Sequence, residues 1–121
     1  MLNIFNSATK RVIIFLMLAH LFSSSIFADD GSLLFNGNCV TCHNSKRSIS
    51  APSMKEVRKR YLSAFSEKEE FVKYMSLFII KPDENISIMR DKVQKYKIMP
   101  ILGYEESVAK EIATYIFETQ F

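Results

Sequence analysis

The sequence predicts an all-α fold, on two observations: apolar residues recur at intervals of three and four, and no useful stretch alternates as a strand does. A first short helix is expected from Gly31 to Asn38, with Leu34 and Phe35 turned inward. Pro52-Ser53-Met54-Lys55-Glu56 then offers Ser53 as a cap and Glu56 three residues later, a capping box that opens a helix through Val57, Tyr61 and Leu62. Ser66-Glu67-Lys68-Glu69 repeats the pattern before Phe71, Val72, Met75, Phe78 and Ile79, and Pro82 stops that run. A shorter helix is expected from Glu84 to Lys95, with Ile88 or Met89 and Val93 inward. The last begins near Tyr104, with Glu105 and Glu106 in the first turn, where acidic groups favour the positive end of the helix dipole. Val108, Ile112, Tyr115 and Ile116 share one face of it.

Residues 1–28 stand apart from this folding pattern because they carry the three parts of an export signal. Lys10 and Arg11 supply the positive start, Val12 to Phe22 an apolar run broken only by His20, and Ser23 to Ala28 a stretch ending in a small residue. Such a run is short for a permanent membrane span, although an uncleaved anchor is the alternative reading. The expected organisation is a signal peptide at 1–28 and one domain at 29–121. Removing the signal takes away two basic residues and no acid, leaving 14 basic against 13 acidic and lowering the formal charge from +3 to +1. That balance argues against nucleic acid as a partner. A domain of this size builds only a marginal core without a disulfide, metal or cofactor.

The chemistry-bearing motif is Cys39-Val40-Thr41-Cys42-His43, which contains both cysteines of the chain. The CxxCH spacing reads as a c-type haem attachment site. Two thiols three positions apart, at a helical start, can each form a thioether with one vinyl group of a porphyrin, and the next residue, His43, is carried to the iron as proximal ligand. The rivals are a disulfide or redox pair and a zinc site. Zinc wants four ligands, and the second histidine, His20, lies in the signal segment. A thioredoxin-like pair wants a βαβ context, which the pattern lacks.

A sixth iron ligand is sought among Met54, Met75, Met89 and Met99. Buried methionines usually fill gaps in a core, and Met54 and Met75 suit that role. Met99 precedes Pro100, so it cannot sit in mid-helix, and a loop can bring its sulfur to an open haem face. Met99 is the expected distal ligand, Met89 its main competitor, and an open or water-filled position comes after that.

With these motifs in place, the chain from Gly31 to Phe121 resembles the bacterial class I, monohaem cytochromes c. Gly31 and Phe35 stand eight and four residues before Cys39, Ile112 and Tyr115 match the aliphatic–aromatic pair of that family's last helix, and Met99-Pro100 matches its distal-ligand loop. The resemblance implies a small helical domain wrapped around one covalent haem c, with the first and last helices crossing closely at Gly31. It places Pro52 where a proline often supports the proximal histidine through a carbonyl. The apolar run Phe71 to Ile80 has no fixed place in that scheme.

The function this implies is a periplasmic electron carrier with His43/Met99 ligation rather than an enzyme. The expected haem surroundings are Phe35, Tyr61, Ile98, Leu102 and Tyr115, with Lys46, Arg47, Arg58, Arg60 and Lys97 available to pair with propionates, form a docking rim or simply be solvated. Partners would be redox proteins, with peripheral contact to membrane-bound respiratory complexes. One alternative is a haem-bearing subunit of a respiratory or dehydrogenase complex, which exposed Phe117 and Phe121 or a retained signal segment would favour. Another is a haem sensor or peroxidase with an open sixth site, although no histidine besides His43 remains for distal acid–base chemistry.

Overall fold

The computed structural model describes residues 30–121, so the expected signal segment lies outside the described residues. Five helices and no strand occur among the described residues: α1 (Asp30–Asn38), α2 (Met54–Ala64), α3 (Lys68–Ile80), α4 (Arg90–Tyr96) and α5 (Glu106–Glu118). The all-α expectation holds. None of these helices is long and apolar enough to cross a membrane.

The core forms where α5 packs against α1, α2 and α3. Phe35, Phe71 and Ile112 are fully buried, and Gly31 is buried on α1, a helix that packs against α5. Aromatic rings knit the contact: Phe35 lies 5.3 Å from both Tyr115 and Phe121, and Phe71 lies 5.1 Å from Phe117. Phe117 and Phe121, expected at the surface, are instead packed against the core: Phe117 on α5 meets Phe71 of α3, and the chain beyond α5 brings Phe121 against Phe35 of α1. The apolar run of α3 is placed by the same packing. Phe71 and Met75 are buried among α2 and α5, and Tyr61 of α2 lies 5.7 Å from Phe71.

Three local expectations are corrected. The second capping box does not form: α3 has Glu67 at its N-cap, with no side-chain cap bond. The helix expected from Glu84 begins only at Arg90. Asp83 Oδ1 accepts from the Asn85 backbone and side-chain amides, and the Asp83 carbonyl accepts from Ser87 N, so a local turn competes with the helix. The last helix starts at Glu106, not Tyr104, with Glu105 as its N-cap. Its C-terminal end is held from outside: the Arg58 guanidinium donates to the carbonyls of Ile116 and Phe117 at 2.8–3.2 Å, satisfying acceptors that a helix end leaves unpaired.

Candidate functional site

The CxxCH segment lies at the exit of α1 rather than at a helix start. Cys39 N donates to the Phe35 carbonyl at 2.8 Å, and the Cys39 carbonyl accepts from Cys42 N at 3.2 Å and His43 N at 2.8 Å. This tight turn brings Cys39, Cys42 and His43 to the wall of one cavity of about 240 Å³. Neither cysteine is in a disulfide, and burial pushes the Cys39 thiol up to about 11, so it is neutral at physiological pH.

The loop after His43 is fastened to α2. Asn44 and Ser45 carbonyls accept from Met54 N and Lys55 N, two first-turn donors of that helix, at 2.9 and 3.0 Å. Asn44 Oδ1 accepts in turn from Lys46 N and Arg47 N. So held, Pro52 presents its carbonyl 2.8 Å from His43 Nδ1. A carbonyl can only accept, so Nδ1 carries the proton. Burial lowers the His43 pKa and the Pro52 bond opposes that by raising it, with burial the larger effect. The neutral imidazole therefore has its Nε2 lone pair available, the tautomer a metal-ligating histidine requires.

The rest of the cavity is apolar and rich in sulfur. Met54, Met75, Met89 and Met99, every methionine after residue 28, line it. Met54, Met75 and Met89 are buried and Met99 is half-buried. Met89 N donates to Ser87 Oγ at 3.1 Å, whereas Met99 sits in the loop between α4 and α5. That loop is bounded by two residues of positive φ, Lys97 at 72° and Gly103 at 73°. Glycine suits the second, but the Lys97 ψ of 171° puts a side-chain-bearing residue in a region otherwise almost reserved for glycine.

Tyr61, Ile98 and Leu102 line the cavity as expected, and burial raises the Tyr61 phenol to about 12. Phe35 and Tyr115 do not line it; their rings meet at a 42° tilt in the α1–α5 contact. Of the five cations singled out from sequence, only Lys97 reaches the cavity. Arg58 is committed to the end of α5, Arg60 pairs with Asp91 at 2.8 Å, and Lys46 and Arg47 lie exposed on the loop after His43. Lys92 was missed. It lines the cavity and pairs with Glu56 at 2.7 Å, a bond that raises the ammonium pKa. No group of three His, Cys, Asp or Glu side chains able to hold a bare metal ion occurs among the described residues.

No protein-family model matches the chain, and neither a curated protein nor a solved structure matches it.

Proposed function

We propose that the chain is an exported electron carrier of the monohaem cytochrome c kind. In this reading one haem c is joined to Cys39 and Cys42 and ligated by His43 and Met99. The single observation that carries it is the 2.8 Å bond from His43 Nδ1 to the Pro52 carbonyl, since it leaves Nε2 ready for a metal on the wall that also bears both thiols. The residues present fit the group: paired thiols, one oriented imidazole, a soft thioether and an apolar enclosure. When bound, the haem supplies a one-electron ferric–ferrous couple.

The protein's own part is to orient and to exclude water. The Pro52 carbonyl fixes the imidazole ring, and the loop from Lys97 to Gly103 holds Met99 at the cavity. Met54, Met75, Tyr61 and Ile112 keep the interior dry. Thioether ligation raises the reduction potential, which suits a carrier.

The test is expression of the full chain in a host with c-type maturation machinery, followed by mass and absorption measurements. A mass raised by one haem and a Soret band are expected; a polypeptide with neither would falsify the reading. Met99→Ala should then remove the weak iron–sulfur absorption at the red edge of the oxidised spectrum. Loss of that band in Met89→Ala instead moves the distal role to Met89.

A fixed place in a larger complex is the second reading, favoured by apolar side chains beside the cavity. Leu102 lines it at 45% exposure, and its neighbour Ile101 is 71% exposed. Co-purification of a stable assembly from membranes would distinguish it from a free carrier.

A further inference from the structure

The first helix turn after the His43 loop contains a modified capping box. In the usual arrangement the N3 glutamate reaches back to the backbone N–H of the N-cap residue. Here the forward half is present, with Ser53 Oγ accepting from Glu56 N at 3.3 Å. The return half is not made directly. Ser53 N donates instead to Ser48 Oγ at 2.8 Å, and the Ser48 hydroxyl points its proton to Glu56 Oε2 at 3.4 Å, the longest link of the set. The other carboxylate oxygen, Oε1, receives Lys92 Nζ at 2.7 Å. A serine hydroxyl has been inserted between the two partners of the box.

The consequence lies in which peptide group is being held. Ser53 N and the Pro52 carbonyl belong to one planar, conjugated amide. On one side this amide donates to Ser48, and on the other it accepts from His43 Nδ1. A carboxylate pulling on the Ser48 proton makes Ser48 Oγ a better acceptor. A better acceptor at Ser53 N–H places more negative charge on the Pro52 oxygen, which pulls harder on the Nδ1 proton. Hydrogen bonds in such chains strengthen one another. The chain runs from the interior to the surface: Ser53 is buried, the Glu56 and Lys92 side chains are 30% and 20% exposed, and Ser48 lies exposed where it meets Glu56.

We infer that Ser48 and Glu56 are positioning residues for His43, acting through the Pro52–Ser53 peptide group to set how strongly the imidazole donates to iron. This rests on the haem reading above. A histidine whose Nδ1 proton is pulled more strongly is the more basic ligand and favours the ferric state. Breaking the chain therefore raises the midpoint potential. Lys92 holds Glu56 in place and tempers its charge, coupling α4 to the proximal side of the site although the two are joined by no backbone contact between helices.

The experiment uses the haem-loaded protein and two readouts, the midpoint potential and the proton NMR signal of His43 Nδ1–H in the diamagnetic reduced form. Ser48→Ala changes no charge. It should shift the redox equilibrium toward the reduced form by about threefold to tenfold, the upper end being about 59 mV for a one-electron couple, and move the Nδ1–H signal upfield. Ser48→Thr, which keeps the hydroxyl, should restore both. Should Ser48→Ala not be recovered, Glu56→Gln carries the same expectation for both readouts. Wild-type values in Ser48→Ala, no restoration by Ser48→Thr, or a potential that moves in Glu56→Gln while the proton signal stays would each overturn the chain. A preparation with no haem at all overturns the functional reading instead.

Discussion

The two sides of the cavity are built by different means. On one side α5 packs against α1, α2 and α3 with a continuous set of aromatic and aliphatic contacts, and Phe35, Phe71, Ile112 and Ala113 have essentially no exposure. On the other, residues 83 to 104 contain one short helix, α4, which buries none of its residues and makes no backbone-level contact with another helix. Two ion pairs, Lys92–Glu56 and Arg60–Asp91, tie α4 to α2. The first side is stable by its own burial. The second owes its order to tethers, local turns and the apolar surface of the cavity, so it belongs at the low-stability end of the molecule. For a carrier of the proposed kind the asymmetry has a use: the proximal side stays rigid, while the segment bearing Met99 is shaped by what fills the cavity.

Substitutions separate the two sides by size of effect. Phe71→Ala removes a fully buried ring that meets Tyr61 and Phe117, and should cost about 3–5 kcal/mol in chemical denaturation. A loss below about 1 kcal/mol would mean that this side is not the stable one. Arg58→Met should cost about 1–3 kcal/mol, because the last carbonyls of α5 lose their charged donor; the C-terminal amides of α5 should then exchange faster by NMR. On the loop side Lys97→Gly should stabilise by about 1 kcal/mol, seen as a higher denaturation midpoint, since glycine adopts its φ of 72° without strain. Arg60→Gln should change stability by less than about 1 kcal/mol. The Arg60–Asp91 pair is roughly half exposed on both partners and screened by solvent, and raising salt should erase even that difference.

Legibility in the sequence followed the range of the interaction. The helices of the core side were readable because their spacing is local and their burial strong: Ile112 and Ile116 face inward on α5, and Phe71 and Met75 on α3, as periodicity requires. Gathering Cys39, Cys42 and His43 at one wall was readable because five consecutive residues cannot lie far apart. Ser66 misled because a capping pattern states only what a side chain can do, and the chain entered α3 one residue later without using it. The region before α4 misled because Asp83 and Asn85 satisfy backbone groups in a turn as readily as a helix would. Glu56 was legible as half of a capping box, but its second partner, Ser48, lies eight residues back in a loop whose path no local pattern specifies.

By itself the sequence determined the helical class, the order of the elements and the clustering of two thiols and an imidazole in the CxxCH stretch, because these depend on residue type and on neighbours within a few positions. Tertiary structure alone decided that Arg58 closes the end of α5, that Phe117 and Phe121 are packed, and that four methionines face one cavity. It also decided that Lys92 meets Glu56 and that Ser48 stands between Glu56 and Ser53, whereas the contact of the Pro52 carbonyl with His43 was already expected from the resemblance. Each of these joins residues separated by a loop or by half the chain, and such meetings are set by how whole helices pack rather than by any pattern along the backbone.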